Sequence, residues 1–238
     1  MIMLGTVVNA AAVVIGGGAG MIIKKGLKED FRDSLMKTLG VAVIFLGAAG
    51  AMPGLLELKD GAFQTRGTML MILSLTLGII AGELLKIEDR METLGEKLKK
   101  LVRAEGDNLF VQGFVTNALV ICVGAMAVVG ALQDGISHDP STLFAKAVLD
   151  AMISMVFAAS LGVGVLFAAV PLFLYQGAIT LLSGFAAPFF TDTVVGNLSY
   201  IGNILIAVVG VNLLFGKTVK VGNMLPALIF AVILGYFM

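Results

Sequence analysis

The chain has 238 residues, of which 58% are hydrophobic and 13% charged, with no net formal charge. Soluble domains carry about 25% charged residues, so this composition excludes a soluble enzyme and indicates an integral membrane protein. A single cysteine, Cys122, and a single histidine, His138, exclude an internal disulfide framework and any Cys/His metal spacing.

The N-terminus, MIMLGTVVNAAAVVIGGGAG, lacks the leading positive charge of a signal peptide. Its basic residues follow the apolar run, which reads as a retained first helix with its N-terminus outside. Apolar runs of spanning length fall at Leu4–Ile23, Thr38–Leu56, Gly67–Leu85, Phe110–Leu132, Thr142–Ala168, Leu172–Phe190, Leu198–Phe215 and Val221–Phe237. The expected fold is therefore an all-α polytopic membrane protein of about eight helices in one domain, 1–238. Between the fifth and sixth runs only Ala168–Pro171 offers a turn, and one of the last four runs could be re-entrant, leaving seven full spans.

Charge sorting supports the count. Lys24, Lys25, Lys28, Arg32 and Lys37 follow the first run; Lys86, Arg90, Lys97, Lys99, Lys100 and Arg103 follow the third; Lys217 and Lys220 follow the seventh. If the runs alternate across the bilayer, these lie on one side. The opposite loops hold Lys59 and Arg66, then Asp134, Asp139 and Asp192. The positive-inside rule predicts cytoplasmic basic loops and both termini outside, in a bacterial inner (plasma) membrane. Two of the basic loops read as amphipathic interfacial helices: Ile87–Val102, through Ile87, Met91, Leu94, Leu98 and Leu101, and Lys24–Lys37, through Leu27, Phe31 and Leu35.

A short motif recurs. Gly5-Thr6-Val7-Val8-Asn9-Ala10 matches Gly113-Phe114-Val115-Thr116-Asn117-Ala118, with Gly16 matching Gly124 and a weaker echo of Lys37 in Lys146. The copies start three spans apart, an odd offset that requires opposite orientations, so the reading is an inverted repeat, 4–86 and 110–190, followed by two further helices in 198–238. In inverted-repeat transporters the substrate and ion sites lie near the midplane between repeats. Short matches of this kind also arise by chance in helices rich in Gly, Ala and Val.

The chemistry concentrates in the fifth run, where Lys146, Asp150 and Ser154 recur at four-residue spacing and so share one helix face. A carboxylate at the bilayer centre costs roughly 2.5–3.5 kcal/mol on insertion scales, so that face should meet protein or water. Two readings stand: a structural ion pair with the lysine stem snorkelling outward, or a proton- or cation-responsive carboxylate with Ser154 as an added oxygen ligand. Asn9, Asn117, Asn203 and Asn212 read as interhelical hydrogen-bond glue, the first two strengthened by the repeat. Tyr175-Gln176-Gly177 reads equally as substrate contact or helix packing. Glu57 and Glu83 read as solvated helix ends, His138 as a loop residue. Gly16-Gly17-Gly18-Ala19-Gly20 and Gly78-x-x-x-Gly82 read as close helix contacts. No catalytic, metal or nucleotide-binding set is present.

Three stretches carry a family resemblance: G-T-x-x-N near the start, G-x-x-x-G-E-L-L-x-I-E after the third run, and AKAVLDAMISMVFAASLGVGVLFAAVPLFLYQGAITLL. Over essentially the whole chain it resembles the YqgA/YdfK-type bacterial inner-membrane proteins, a domain of unknown function (number 554). Lys146, Asp150, Ser154, Pro171, Tyr175 and Gln176 match the pattern of the third stretch, whereas Ala151 stands where glycine is expected. The resemblance implies a bacterial polytopic inner-membrane protein, with transport as the suggested activity and no substrate named.

Together these expectations describe a small secondary transporter or ion-translocating protein with a midmembrane site of Lys146, Asp150, Ser154, Asn9, Asn117, Tyr175 and Gln176. It would have no cofactor, with Na+ or H+ as coupling ion, and its partners would be the lipid bilayer and a small solute or ion, not nucleic acid. The alternatives are a channel formed by a homo-oligomer, or a membrane scaffold or signalling protein in which the Lys146–Asp150 pair is structural.

Overall fold

A computed structural model of the chain describes residues 3–24, 28–123 and 125–237. Lys25, Leu27 and Gly124 of the sequence reading lie outside the described residues. The fold is predominantly helical and polytopic, with a short β-hairpin. Among the described residues six helices are long and apolar enough to cross a membrane, or seven if one bent pair counts as a single span.

The chain divides into two compact units. The first comprises 1–37, 91–122 and 126–188; the second comprises 38–90, 123–125 and 189–238.

In the first unit α1 (Leu4–Lys24) lies along α7 (Ser141–Leu161). The contact is close because it is made by glycines: side chains at Gly16 and Gly20 would run into the backbone of Ala151 and Met155. α5 (Phe110–Cys122) and α6 (Ala125–Ile136) occupy the predicted fourth run but lie at 62° to each other, so that run is not one straight helix. The predicted boundary between the fifth and sixth runs is also corrected. α7 ends at Gly162, whose φ of 92° and ψ of −160° suit glycine alone. A 3-10 segment, Val163–Ala168, then leads into α8 (Ala169–Leu181) and the short α9 (Ser183–Ala186). Pro171 falls in the first turn of α8, where its missing N–H is no loss. Asp107 supports the break, accepting hydrogen bonds from the amides of Val163 (3.3 Å) and Leu109 (3.0 Å). Gly162→Ala should lower stability by about 1–3 kcal/mol, since the new Cβ would also stand 2.6 Å from Asp107 Oδ2. Thermal unfolding in detergent measures this, and an unchanged midpoint would refute it.

In the second unit α2 (Glu29–Leu55) contributes its residues from Thr38 onward. The helix is continuous from Glu29, so among the described residues Glu29–Lys37 of the predicted interfacial helix form the first part of α2. A hairpin follows, β1 (Leu56–Lys59) paired antiparallel with β2 (Ala62–Thr65) through Asp60-Gly61, both at positive φ. Asp-Gly is a strong signal for such a two-residue turn. The unit is completed by α3 (Thr68–Leu85), α10 (Asp192–Phe215), α11 (Val221–Met224) and α12 (Pro226–Gly235). α10 starts six residues before the predicted run, because Thr191 caps it by accepting from the Val194 amide at 3.3 Å. Val221–Gly235 is only a short apolar helix, about 22 Å long at 1.5 Å per residue, against the ~30 Å of hydrocarbon that a span must cover. Gly78 and Gly82 pack directly on the backbones of Ala227 and Asn223, as the small-residue spacing predicts.

α4 (Ile87–Leu101) is the predicted amphipathic helix. A Cβ added at its buried Gly95 would stand 3.2 Å from Val111 and Phe114 of α5, while Leu94 and Leu101 are exposed.

Candidate polar site in the first unit

α7 turns one polar face into protein. Lys146, Asp150 and Ser154 are at most 6% exposed, whereas Val148, Leu149 and Met152 on the opposite face are at least 50% exposed. The four-residue spacing thus places a cation, a carboxylate and a hydroxyl in one buried row. Lys146 Nζ forms an ion pair with Asp150 Oδ2 and also donates to the Ile121 carbonyl at 2.7 Å. Ile121 lies in the last turn of α5, where carbonyls lack helical partners, so the ammonium satisfies one of them and complements the helix C-terminus.

Three further elements close around this row. From α1, Asn9 donates to Gln176 Oε1 of α8 at 3.2 Å and hydrogen-bonds the Asp150 carboxylate. One turn away the hydroxyls of Thr6 and Thr180 meet at 3.3 Å. From α5, Asn117 donates to Ser154 Oγ and to the Val165 carbonyl of the 3-10 segment, both at 3.0 Å. Asn9, Asn117, Ser154 and Gln176 are fully buried.

The contacts also fix helix direction. Along α1, Gly5, Gly16 and Gly20 meet Leu143, Ala151 and Met155 in turn, so α1 runs parallel to α7. Along α5, Gly113, Asn117 and Ile121 meet Leu161, Ser154 and Lys146, so α5 runs antiparallel to α7. The two asparagine-bearing helices therefore point in opposite directions.

Six of the seven residues singled out in the sequence come together here. Tyr175 does not: it is 37% exposed. Successive helical residues differ by about 100°, so Tyr175 and Gln176 cannot share the α1-facing side. Asn203 and Asn212 are not interhelical glue either. Asn203 donates back to the Ser199 carbonyl of its own helix at 2.7 Å. Asn212 ties down the loop after α10 through the Thr218 and Val219 amides, both at 3.0 Å. Glu57 and Glu83 are part-exposed and pair with Arg66 and Lys220. His138 is exposed in its turn.

Two further acids are buried, one of them expected in a loop. Asp134, assigned to an outer loop, sits fully buried in the last turn of α6, where Oδ2 accepts from the Gly5 amide at 3.0 Å. It thereby supplies a negative charge to the N-terminus of α1. In the second unit Glu88, only 4% exposed, accepts from the Gly222 amide at 2.9 Å and pairs with Lys217 at 2.9 Å, while its own amide donates to Asn223. Neither partnership has a local sequence signal, since the hydrogen-bonded residues are 129 and 134 positions apart.

The chemistry available around Asp150 is hard oxygen: carboxylate, amide carbonyl and hydroxyl. It is also incompletely used, because Asn9 Oδ1 and Gln176 Nε2 are buried without a hydrogen-bond partner. One acceptor and one donor thus stand open beside a carboxylate and an ammonium, and buried polar groups in proteins are nearly always bonded to protein, water or ligand.

Comparison with known proteins agrees with the multi-pass architecture. The chain is 30% identical to "Uncharacterized membrane protein YdfK" of Bacillus subtilis (strain 168), over 95% of this chain and 93% of that protein. It is also 30% identical to "Uncharacterized protein YqgA" of Escherichia coli (strain K12), over 96% and 94% respectively. No solved structure matches it. The family model described as "Protein of unknown function (DUF554)" matches residues 4–236, and the chain, with its apolar helices and buried polar row, belongs to that family.

Proposed function

We propose that the chain is a small secondary transporter or ion-translocating protein of the bacterial inner membrane, with the Asp150 cluster as its coupling site. The supporting observation is the buried assembly of Asp150, Lys146, Asn9, Asn117, Ser154 and Gln176 from four elements, with an open acceptor and an open donor inside it. Polar groups of this kind at membrane depth mark ion and proton paths. Broken helices favour the same reading: transporter sites are built where helix ends and irregular backbone meet, and here the Ile121 and Val165 carbonyls lie at two such breaks. The opposed directions of α1 and α5 suit an inverted repeat. Basic loops on the cytoplasmic side and the N-terminus outside complete the proposed topology, and the short Val221–Gly235 helix does not carry the C-terminus back across.

In this mechanism Asp150 takes up the coupling proton or Na+. Lys146 is released from the carboxylate as the cation arrives, and the open amide groups of Asn9 and Gln176 bind the solute or complete the ion's shell. In proteoliposomes with an imposed Na+ or proton gradient, ion entry should be saturable and should fall at least tenfold in Asp150→Asn. Flux that survives this substitution unchanged would overturn the assignment.

A second reading is favoured by one contact. Because Lys146 joins Asp150 to the Ile121 carbonyl, the pair could act only as a staple across the broken α5–α6 run. A protein of that kind would show no flux before or after substitution.

A further inference from the structure

The second unit holds a separate cavity of about 400 Å³, bounded by the C-terminal end of α2, the start of α3 and the first two turns of α10. Its walls mix apolar surface with polar side chains: Arg66, Asp192, Thr193, Asn197, Ser199 and Tyr200 line it beside glycines and Pro53. Every one of these residues lies within the second unit, so the cavity is a feature of that unit alone.

Its shape is built by glycine. Gly54 and Gly67 flank the Tyr200 ring so closely that a Cβ on Gly67 would come within 3.0 Å of the ring edge. Gly67 is at φ 64°, a conformation that also favours glycine. Pro53, another wall residue, cannot donate to the Ala49 carbonyl one turn back, so that helical bond is missing. The ring thus held carries a buried hydroxyl without a hydrogen-bond partner, although Tyr200 as a whole is 2% exposed. A buried phenol normally finds a partner.

Charge decides what the cavity could hold. The cavity carries one cation, Arg66, and one anion, Asp192, and no ion pair joins them among the described residues. Arg66 is held only loosely, 4.0 Å from Glu57, with its side chain more than half exposed. A simple anion would be drawn to Arg66 and repelled by Asp192, and a simple cation the reverse. A neutral molecule with separated opposite charges satisfies both walls, with Thr193, Asn197 and Ser199 available for its polar body. We infer that this cavity is a binding site for a small zwitterion carrying an ammonium and an oxyanion group, either a free solute of the amino-acid class or the headgroup of an ethanolamine lipid.

The test uses the full chain in nanodiscs and does not depend on transport. Radiolabelled L-serine binding is measured by scintillation proximity, with glycine, O-phosphoethanolamine, acetate and ethanolamine as competitors. Saturable L-serine binding is expected, displaced by the two zwitterions and at least tenfold less well by the singly charged acetate and ethanolamine. Arg66→Gln and Asp192→Asn should each weaken binding at least tenfold. Arg66→Lys should retain most of it, and Lys59→Gln on the nearby hairpin should leave it unchanged. Equal binding in phosphatidylglycerol discs with and without phosphatidylethanolamine supports the site with a free solute as occupant; suppression by phosphatidylethanolamine supports it with the headgroup as occupant. Absence of saturable binding in phosphatidylglycerol discs, equal competition by acetate or ethanolamine, or undiminished binding in well-folded Arg66→Gln and Asp192→Asn proteins would overturn it. None of these outcomes bears on Asp150, so the two sites fail or stand separately.

Discussion

Lys146→Met should destabilise the folded protein by about 3–5 kcal/mol, and adding Asp150→Leu to it should recover part of that loss but not all. The first figure is the usual cost of stranding one member of a buried ion pair. Both side chains here are no more than 7% exposed, so water cannot take the place of the missing charge. Removing the second member removes the stranded carboxylate, and well-packed apolar replacements of buried pairs are often neutral or stabilising. Recovery stays incomplete because Lys146 has a second task. Its ammonium satisfies the Ile121 carbonyl at the end of α5, and methionine offers no donor. An unsatisfied buried carbonyl costs about 1–3 kcal/mol, which is the deficit expected in the double variant. Reversible unfolding in mixed micelles gives all three values. A double variant as unstable as Lys146→Met would show that the pair's cost lies elsewhere, in packing rather than charge. Flux separates the two functional readings. If Asp150 is the coupling group, the unsubstituted protein transports and the double variant, stable enough to reconstitute, does not, whereas a structural pair gives no flux in either.

How much of this was legible in sequence depends on the range over which the signal acts. The row on α7 was, because a four-residue recurrence of Lys146, Asp150 and Ser154 in an apolar run defines a helix face whatever surrounds it. The amphipathic α4 was legible for the same reason. The break at Gly162 was not, since residues on both sides are equally apolar and hydropathy does not register a backbone angle. The start of α10 was partly legible: Thr191 followed by Asp192 is a capping signal, but the polar first turn hid the helix from an apolar-run criterion. Burial of Asp134 depends on the Gly5 amide 129 positions away, and that of Glu88 on Gly222, 134 positions away. No local pattern encodes either, and a lone acid near a helix end reads by default as solvated. Glycine runs fall between these cases. Their composition announces close contact but not which glycine makes it.

That last distinction yields the second large effect. Gly16→Ala and Gly20→Ala should each destabilise the protein by about 1–3 kcal/mol, whereas Gly18→Ala, two residues from either, should be neutral or stabilising. At Gly16 an added Cβ would lie 2.7 Å from the Ala151 carbonyl carbon, and at Gly20 2.9 Å from that of Met155. Both obstacles are backbone of α7, which cannot rotate aside, so the helices must separate. At Gly18 nothing lies within 4 Å, and alanine simply removes the conformational cost of glycine, worth up to ~1 kcal/mol in a helix interior. Gly17 falls between: its added Cβ meets the Leu166 side chain at 2.7 Å, which can move. The effects at Gly16 and Gly20 should not add. Once the first methyl has pushed α1 from α7 the second meets less resistance, so the double variant should cost less than the sum of the singles. The separation also reaches the polar cluster, because Asn9 stands on the same helix and must span to Gln176 and Asp150. Gly16→Ala should therefore lower gradient-driven flux along with stability, while Gly18→Ala leaves both intact. Equal loss at all three positions would mean that the run serves helix flexibility rather than the α1–α7 contact.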